Sequence, residues 1–167
     1  MEELITTFRS RRLGILFILK MVPLDLWDWK PNPSMRSTAE LGNHLACSPL
    51  GILELLRGNI SNEEKYNDLE KNNMPINAQG LTHLYDQSLS KLLSYLQEHL
   101  ENARTENIRF FYQDHDTSMY KEAFDEIGHE WFHLGQLYTY LRQNGIPIDM
   151  GAYYGYKDPD PNLPPNK

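Results

Sequence analysis

The apolar positions of this chain repeat at helical spacing in four stretches, which predicts four long amphipathic helices. The stretches cover about residues 2–21, 37–58, 78–101 and 119–145. Pro23 ends the first stretch, because proline cannot continue a helix. Gly145 ends the last one, with Pro147 beyond it. Helices of this number and length predict an all-α protein built as a four-helix bundle.

The second helix has a defined start and an irregular middle. It opens at Ser37, and Glu40 three residues later completes a capping box. Pro49 lies inside the apolar pattern, where its ring removes one backbone hydrogen bond. Either the helix kinks there, or a new helix begins at Ser48 with Pro49 in its first turn.

The segment between the second and third helices, residues 59–77, is polar and rich in turn formers. We therefore interpret it as a connection of about twenty residues, and because this is longer than most loops, its length indicates a purpose. A helix of about 20 residues is ~30 Å long, and a linker of this size can run its whole length. The connection can therefore join two helices that point the same way, although this alone does not fix the topology.

The fourth helix presents two faces that both need cover. One face carries mostly apolar and aromatic residues: Tyr120, Phe124, Ile127, Trp131, Leu134, Tyr138 and Leu141. Roughly the opposite face carries His129, His133, Gln136 and Tyr140. One face must meet the other helices, and we expect the C-terminal tail or a second subunit to cover the other. We place the bundle domain at residues 1–150 and expect 151–167 to be a non-helical, partly ordered tail with a proline-rich end.

Composition narrows the class of protein. The 167 residues carry a net charge of −7 with a pI near 5.3, which is unlike a nucleic-acid-binding domain. Cys47 is the only cysteine, so no internal disulfide is possible and a reducing cytosol fits. The most apolar run, Leu13 to Leu19, is too short to cross a bilayer. We expect a cytoplasmic protein without a membrane segment.

Candidate chemistry lies on the fourth helix, where His129 and His133 are four residues apart and can reach one ion. His44 is the preferred third donor because it belongs to a core-facing segment. Spacing alone does not select it over the remaining histidines: His83, His99 and His115. Three imidazoles suit zinc or nickel, and less exclusively iron, manganese or copper. Three protein ligands leave open positions, which is typical of catalytic rather than structural sites.

Two longer motifs carry a family resemblance. The pattern W-x-P-x-P from Trp29, followed by M-R-S-x-x-E-L-x-x-H-L-A from Met35, resembles the first half of the DinB/YfiT-like superfamily. The pattern H-x-x-x-H-x-G-Q-L-x-x-Y-L-x-x-x-G from His129 resembles its second half. One departure is Leu134, which stands where the family often has arginine.

The resemblance implies a four-helix bundle of up-down-down-up topology that holds a divalent metal through His44, His129 and His133. It further implies a homodimer that acts on small molecules and binds no DNA. Family activities use a low-molecular-weight thiol, so we expect a metal-dependent S-transferase. A non-catalytic dimeric metal-binding bundle and a metal-dependent hydrolase remain as alternatives.

Three neighbours of the histidines are candidates for the site. Gln136 could orient a ligand or a bound water. Tyr140 could line the pocket or serve packing. Cys47 could be a fourth ligand, a reactive thiol or a small buried hydrophobe. Glu130 is a weak candidate for a general base, because it points about 100° away from His129 on the helix.

Overall fold

The computed structural model describes residues 2–103, 105 and 107–156, which are mostly helical. The helices are α1 (Glu2–Lys20), α2 (Thr38–Leu56), α3 (Glu63–Asn72), α4 (Ala78–Glu98), α5 (Met119–Gln143) and α6 (Met150–Tyr153). A 3₁₀ turn spans Leu24–Leu26, and two short strands, β1 (Asn107–Ile108) and β2 (Thr117–Ser118), pair antiparallel. The four predicted long helices are confirmed as α1, α2, α4 and α5.

The four long helices enclose one hydrophobic core. Helix α4 packs against both α1 and α2, and α5 also packs against both. Fully buried side chains from all four helices fill the centre, among them Phe8, Leu45, Leu53, Tyr85 and Leu137. Among the described residues, no helix has both the length and the apolar content needed to cross a membrane.

Helix α2 is buried over most of its length. Its predicted capping box is confirmed: the Ser37 hydroxyl accepts a hydrogen bond from the Glu40 backbone N–H (3.1 Å), and the Glu40 carboxylate accepts one from the Ser37 N–H (2.6 Å). The helix then continues through Pro49 to Leu56, so a new start at Ser48 is wrong. Tertiary burial on all sides outweighs the single backbone bond that the proline removes.

Helix α3 corrects the interpretation of residues 59–77 as a plain connection. Asn62 caps it by accepting a hydrogen bond from the Lys65 N–H (2.9 Å), and Glu63 and Glu64 occupy its first turn, where the helix dipole favours negative charge. None of its residues is buried, so it has no apolar stripe that periodicity could detect. Among the described elements, α2 is the one with which α3 makes substantial contact.

Helix α5 turns a third face to the interior. The buried centre is formed by Ala123, Glu130 and Leu137, which lie between the two faces predicted from the sequence. Glu130 is only 1% exposed, and the Tyr85 hydroxyl donates a hydrogen bond to it (3.1 Å). Burial, together with the nearby charge of Glu126, raises the pKa of the Glu130 carboxyl.

The tail covers part of the aromatic face of α5. The Tyr153 ring lies 6.1 Å from the ring of Trp131 and 5.2 Å from that of Tyr138, measured between centroids. These contacts come from α6, so the prediction of a non-helical tail is wrong for this one turn, which Asp149 caps. Phe124 stays 59% exposed. The proline-rich end that we expected, residues 157–167, lies outside the described residues.

Two glycines allow a matched test of the packing of α6 against α1. A Cβ atom on Gly14 in α1 would collide with the backbone carbonyl of Tyr153, whereas one on Gly128 in α5 would meet nothing within 4 Å. We expect Gly14→Ala to lower the free energy of unfolding by about 1–3 kcal/mol through overpacking. Gly128→Ala should raise it by roughly 0.5–1 kcal/mol, because alanine favours the helix. Urea denaturation measures both, and a Gly14→Ala variant as stable as the parent would show that α6 is not seated there.

Candidate metal site

Two packed helices bring three imidazoles together. Helix α2 supplies His44, and α5 supplies His129 and His133 from adjacent turns. The Nε2 atom of His44 lies 3.1 Å from the Nε2 atoms of both other histidines. His44 and His133 are buried, and His129 is partly buried. The three residues chosen from the sequence therefore meet at one point, and they form the group of the described chain that could hold a metal ion.

The Nδ1 atoms of two of the histidines, on the side of the ring away from the meeting point, contact oxygen acceptors. The Nδ1 atom of His44 contacts the Glu70 carboxylate, and that of His133 lies 2.7 Å from the Gln136 side-chain oxygen. Because both acceptors are oxygens, Nδ1 carries the hydrogen in each ring. Each Nε2 atom is then left with a free lone pair directed at the meeting point.

His129 is oriented by a buried pair of residues. Its Nδ1 atom lies 2.9 Å from the Ser48 hydroxyl and 3.2 Å from the Glu126 carboxylate. The Ser48 hydroxyl in turn donates a hydrogen bond to Glu126, which is 3% exposed. A carboxylate behind a histidine is the arrangement that orients metal-binding imidazoles and raises their basicity.

The protonation of the imidazoles is consistent with metal binding. Burial and the neighbouring His44 and His129 lower the pKa of His133 to about 4, so this ring is neutral at physiological pH. For His129, burial lowers the pKa, but Glu126 outweighs it and the net shift is upward. A divalent ion at the meeting point would therefore compete with a proton on His129.

The spacing of the three nitrogens fits one ion. Nitrogen donors at about 2.0–2.1 Å from a single metal lie roughly 3.0–3.4 Å from one another. Both separations from the His44 Nε2 atom are 3.1 Å and fall in this range. Three lone pairs that meet inside a protein repel one another unless a cation lies between them. The cluster could thus hold a divalent metal ion, and imidazole suits zinc, nickel, copper and iron alike.

Most of the chain superimposes on solved structures of DinB-like proteins. It superimposes on a DinB-like protein from Bacillus cereus ATCC 10987 with a TM-score of 0.72 and 16% identity, over 89% of this chain and 95% of the other. It matches a DinB-like protein, YjoA, from Bacillus subtilis with a TM-score of 0.64 and 18% identity, over 87% and 94%. The chain has the DinB-like fold. No family model matches the sequence, and a search of curated proteins finds no match.

Among the neighbours predicted for this site, Gln136 contacts a histidine, whereas the other two have different partners. The Cys47 thiol lies 3.6 Å from the Asn43 side-chain oxygen, and burial raises its pKa to about 12. The Tyr140 hydroxyl donates to the backbone carbonyl of Arg36 (3.3 Å), and its ring packs edge-on against Trp29. Both contacts indicate packing roles. The remaining histidines, His83, His99 and His115, do not join the described cluster.

Three functional neighbours were missed at the level of sequence: Ser48, Glu70 and Glu126. Two of them left a usable signal. Ser48 follows His44 by four residues and Glu126 precedes His129 by three, so each shares a helix side with a candidate ligand. Glu70 left none, because it reaches His44 only through the docking of α3 on α2.

A cleft of about 490 Å³ opens over the histidines. His44 and His129 line it, and α3 provides one wall with Tyr66. Phe111 and Tyr112, from the segment between the two strands, provide another. A cavity of this volume is in the range that accommodates a small organic molecule. The possible metal site therefore borders an accessible pocket, which two of its three histidines line.

The contact between Glu70 and His44 can be tested through metal affinity. We expect Glu70→Ala to weaken zinc binding by about 10- to 100-fold, because His44 loses the group that orients it. Glu64→Ala, on an exposed position of the same helix, should bind zinc like the parent. Competition with a chromophoric chelator measures both affinities. Equal affinity of the two variants would show that Glu70 does not support His44.

The environment of Cys47 predicts an inert thiol. With its pKa raised to about 12, the thiolate is scarce at pH 8. Alkylation by iodoacetamide should be at least about a hundredfold slower than in urea-unfolded protein, where the thiol pKa returns to about 8.5. Mass spectrometry of timed samples gives both rates. Rapid alkylation of the native protein would instead make Cys47 a reactive thiol.

Proposed function

We propose that this protein is a metal-dependent enzyme that binds one divalent ion through His44, His129 and His133 and acts on a low-molecular-weight thiol in S-transfer to an electrophile. The observation that carries this proposal is the convergence of three Nε2 atoms whose Nδ1 atoms are all held from behind. Zinc or nickel is the preferred ion, with iron or manganese as alternatives. When bound, the ion would lower the pKa of a coordinating thiol or water.

The residues of the chain perform the remaining tasks. His44 and His129 border the cleft, so a substrate within it lies next to the ligand set. Ile52 and Leu55 add apolar lining that removes water from this end of the pocket. Glu126 and Ser48 keep the His129 ring in one orientation. Such positioning of reacting groups is a large part of rate enhancement in enzymes.

The finer architecture also belongs to the proposal. We place the four long helices in the up-down-down-up order, with α3 inside the long connection between the second and third of them. The bundle domain spans residues 1–150, and 151–167 form its tail. The protein works as a cytoplasmic homodimer on small molecules and binds no nucleic acid, in line with its net charge of −7.

A metal-dependent hydrolase is the second candidate, and the charge of the cleft favours it. Arg36 is the one lysine or arginine among the described residues that line the cleft, and it already lies 3.8 Å from Glu70. A thiol with several carboxylates would find few partners there. Water needs no such partners, so hydrolysis of an ester or amide fits the same ligand set.

Metal content tests the proposal directly. The protein is purified without chelator and its metal measured by mass spectrometry. We expect about one divalent ion per chain in the parent and in His83→Ala, whose histidine is exposed and distant from the cluster. His129→Ala should lose most of the metal, because one ligand is removed. Substoichiometric metal in all three proteins would refute a metal site.

Activity then separates the candidate functions. Metal-loaded protein is assayed with a chromogenic aryl halide plus a small thiol, and separately with a chromogenic ester without thiol. Thiol-dependent turnover that His129→Ala abolishes supports the S-transferase, and ester turnover alone supports the hydrolase. Metal binding that raises the melting temperature without either activity supports the non-catalytic bundle.

A further inference from the structure

Buried carboxylates line the cleft over the histidines. Glu122 is 4% exposed and Glu126 is 3% exposed, and both border the cavity. Charged groups this deep in a protein are normally paired with an opposite charge. The negative charge of the cleft therefore comes in part from buried carboxylates and not only from exposed ones at its edge.

The partners of these two carboxylates are largely neutral. Glu122 accepts a hydrogen bond from the Gln113 side-chain amide (2.7 Å), and Glu126 accepts one from the Ser48 hydroxyl. Glu126 also lies beside His129, so an ion on the imidazoles would offset part of its charge. Within the described chain, neither lysine nor arginine forms an ion pair with Glu122. Among the described residues, Glu122 therefore has hydrogen-bond partners but no lysine or arginine as a counter-charge.

Two more carboxylates extend the negative lining toward solvent. Glu63 comes from α3 and Asp125 from α5, and Lys121 pairs with Asp125 along the helix surface. The phenol of Tyr112 responds to this field: burial raises its pKa, and the charges of Glu122, Glu126 and Asp125 raise it further. The carboxylates and the aromatic residues Phe111 and Tyr112 thus line the same cavity.

The aromatic wall offers ring surface for an apolar ligand. Phe111 is 39% exposed and Tyr112 is 54% exposed, and their ring centroids lie 5.2 Å apart. Tyr66 borders the same cavity from α3. Ring faces attract cations as well as apolar groups. The carboxylates that line the same cavity attract a cation by a separate Coulomb interaction.

We propose that the cleft selects a small aromatic or alicyclic compound that carries a positive charge, with the charge near Glu122 and the apolar body against Phe111 and Tyr112. This inference names the substrate class of the proposed enzyme, and in that respect it rests on the proposed function. It also implies that anionic compounds of the same size are poor ligands.

The test compares three probes of similar size: trimethyl(2-phenylethyl)ammonium, neutral 3-phenylpropanamide and anionic 3-phenylpropionate. Their binding to zinc-loaded and to metal-free protein is measured by calorimetry. We expect the ammonium to bind about tenfold more tightly than the amide in the loaded protein, which corresponds to about 1.4 kcal/mol. The preference should increase in the metal-free protein, where the positive charge of the ion is absent. The carboxylate should be the weakest ligand of the metal-free form.

The decisive comparison is between the ammonium and the amide, because the carboxylate can also bind zinc directly. An amide that binds as tightly as the ammonium, or an ammonium preference seen only with zinc, overturns the inference. Failure of the proposed function is read separately from the metal content. If the protein binds no metal but still prefers the ammonium, the selectivity of the cleft is supported and the proposed metal-dependent enzyme is refuted.

Charge-neutral variants locate the source of the preference. Glu122→Gln should weaken ammonium binding about five- to tenfold and leave amide binding unchanged. Glu63→Gln on the exposed wall should weaken it about two- to threefold, whereas Glu64→Gln, its neighbour outside the cleft lining, should have no effect. Circular dichroism checks that each variant is folded. Folded Glu122→Gln and Glu63→Gln variants that both keep the full ammonium preference would overturn the assignment.

Discussion

The meeting of three imidazole lone pairs inside the bundle is the constraint on which the site depends. The Nε2 atoms of His129 and His133 each lie 3.1 Å from the Nε2 atom of His44. Uncharged hydrogen-bond acceptors repel one another at this distance. Acceptors behind the rings hold this arrangement, and packing of α2 against α5 brings the rings together. The helix that carries His44 is correspondingly the most buried one, and the helix that carries the other two histidines is the longest.

Each histidine is supported by a different part of the chain. Glu70 comes from α3, Gln136 comes from the same helix as His133, and Ser48 and Glu126 come from two facing helices. This division spreads the site over three elements that are separated in sequence. In this chain, the long connection therefore contributes to the site as well, because its helix α3 supplies Glu70, one of the groups that orient the histidines.

The sequence predicts local features of this protein well. The four long helices, the capping box of Ser37 and the choice of His44 follow from periodicity, capping chemistry and a family motif. Other features depend on tertiary packing. Helix α3 has no buried residue and hence no stripe, so its helical state follows from caps and charges that also occur in loops. The inward face of α5 carries Glu126 and Glu130, and acidic side chains in an interior are not expected from a hydrophobic wheel.

Helix α3 both lines the cleft and supports His44, although it makes few contacts with the rest of the protein. Its own side chains are all at least partly exposed, yet Tyr66 walls the cleft and Glu70 holds His44. One of its anchors is the Asn43 side chain, which donates a hydrogen bond to the Glu70 backbone carbonyl (2.9 Å). An excursion of α3 would widen the pocket and release the His44 ring in the same motion. A molecule that packs against Tyr66 would hold α3 in place, and it would thereby strengthen the binding of an ion that His44 helps to hold. Occupancy of the pocket and binding of such an ion would then be thermodynamically linked.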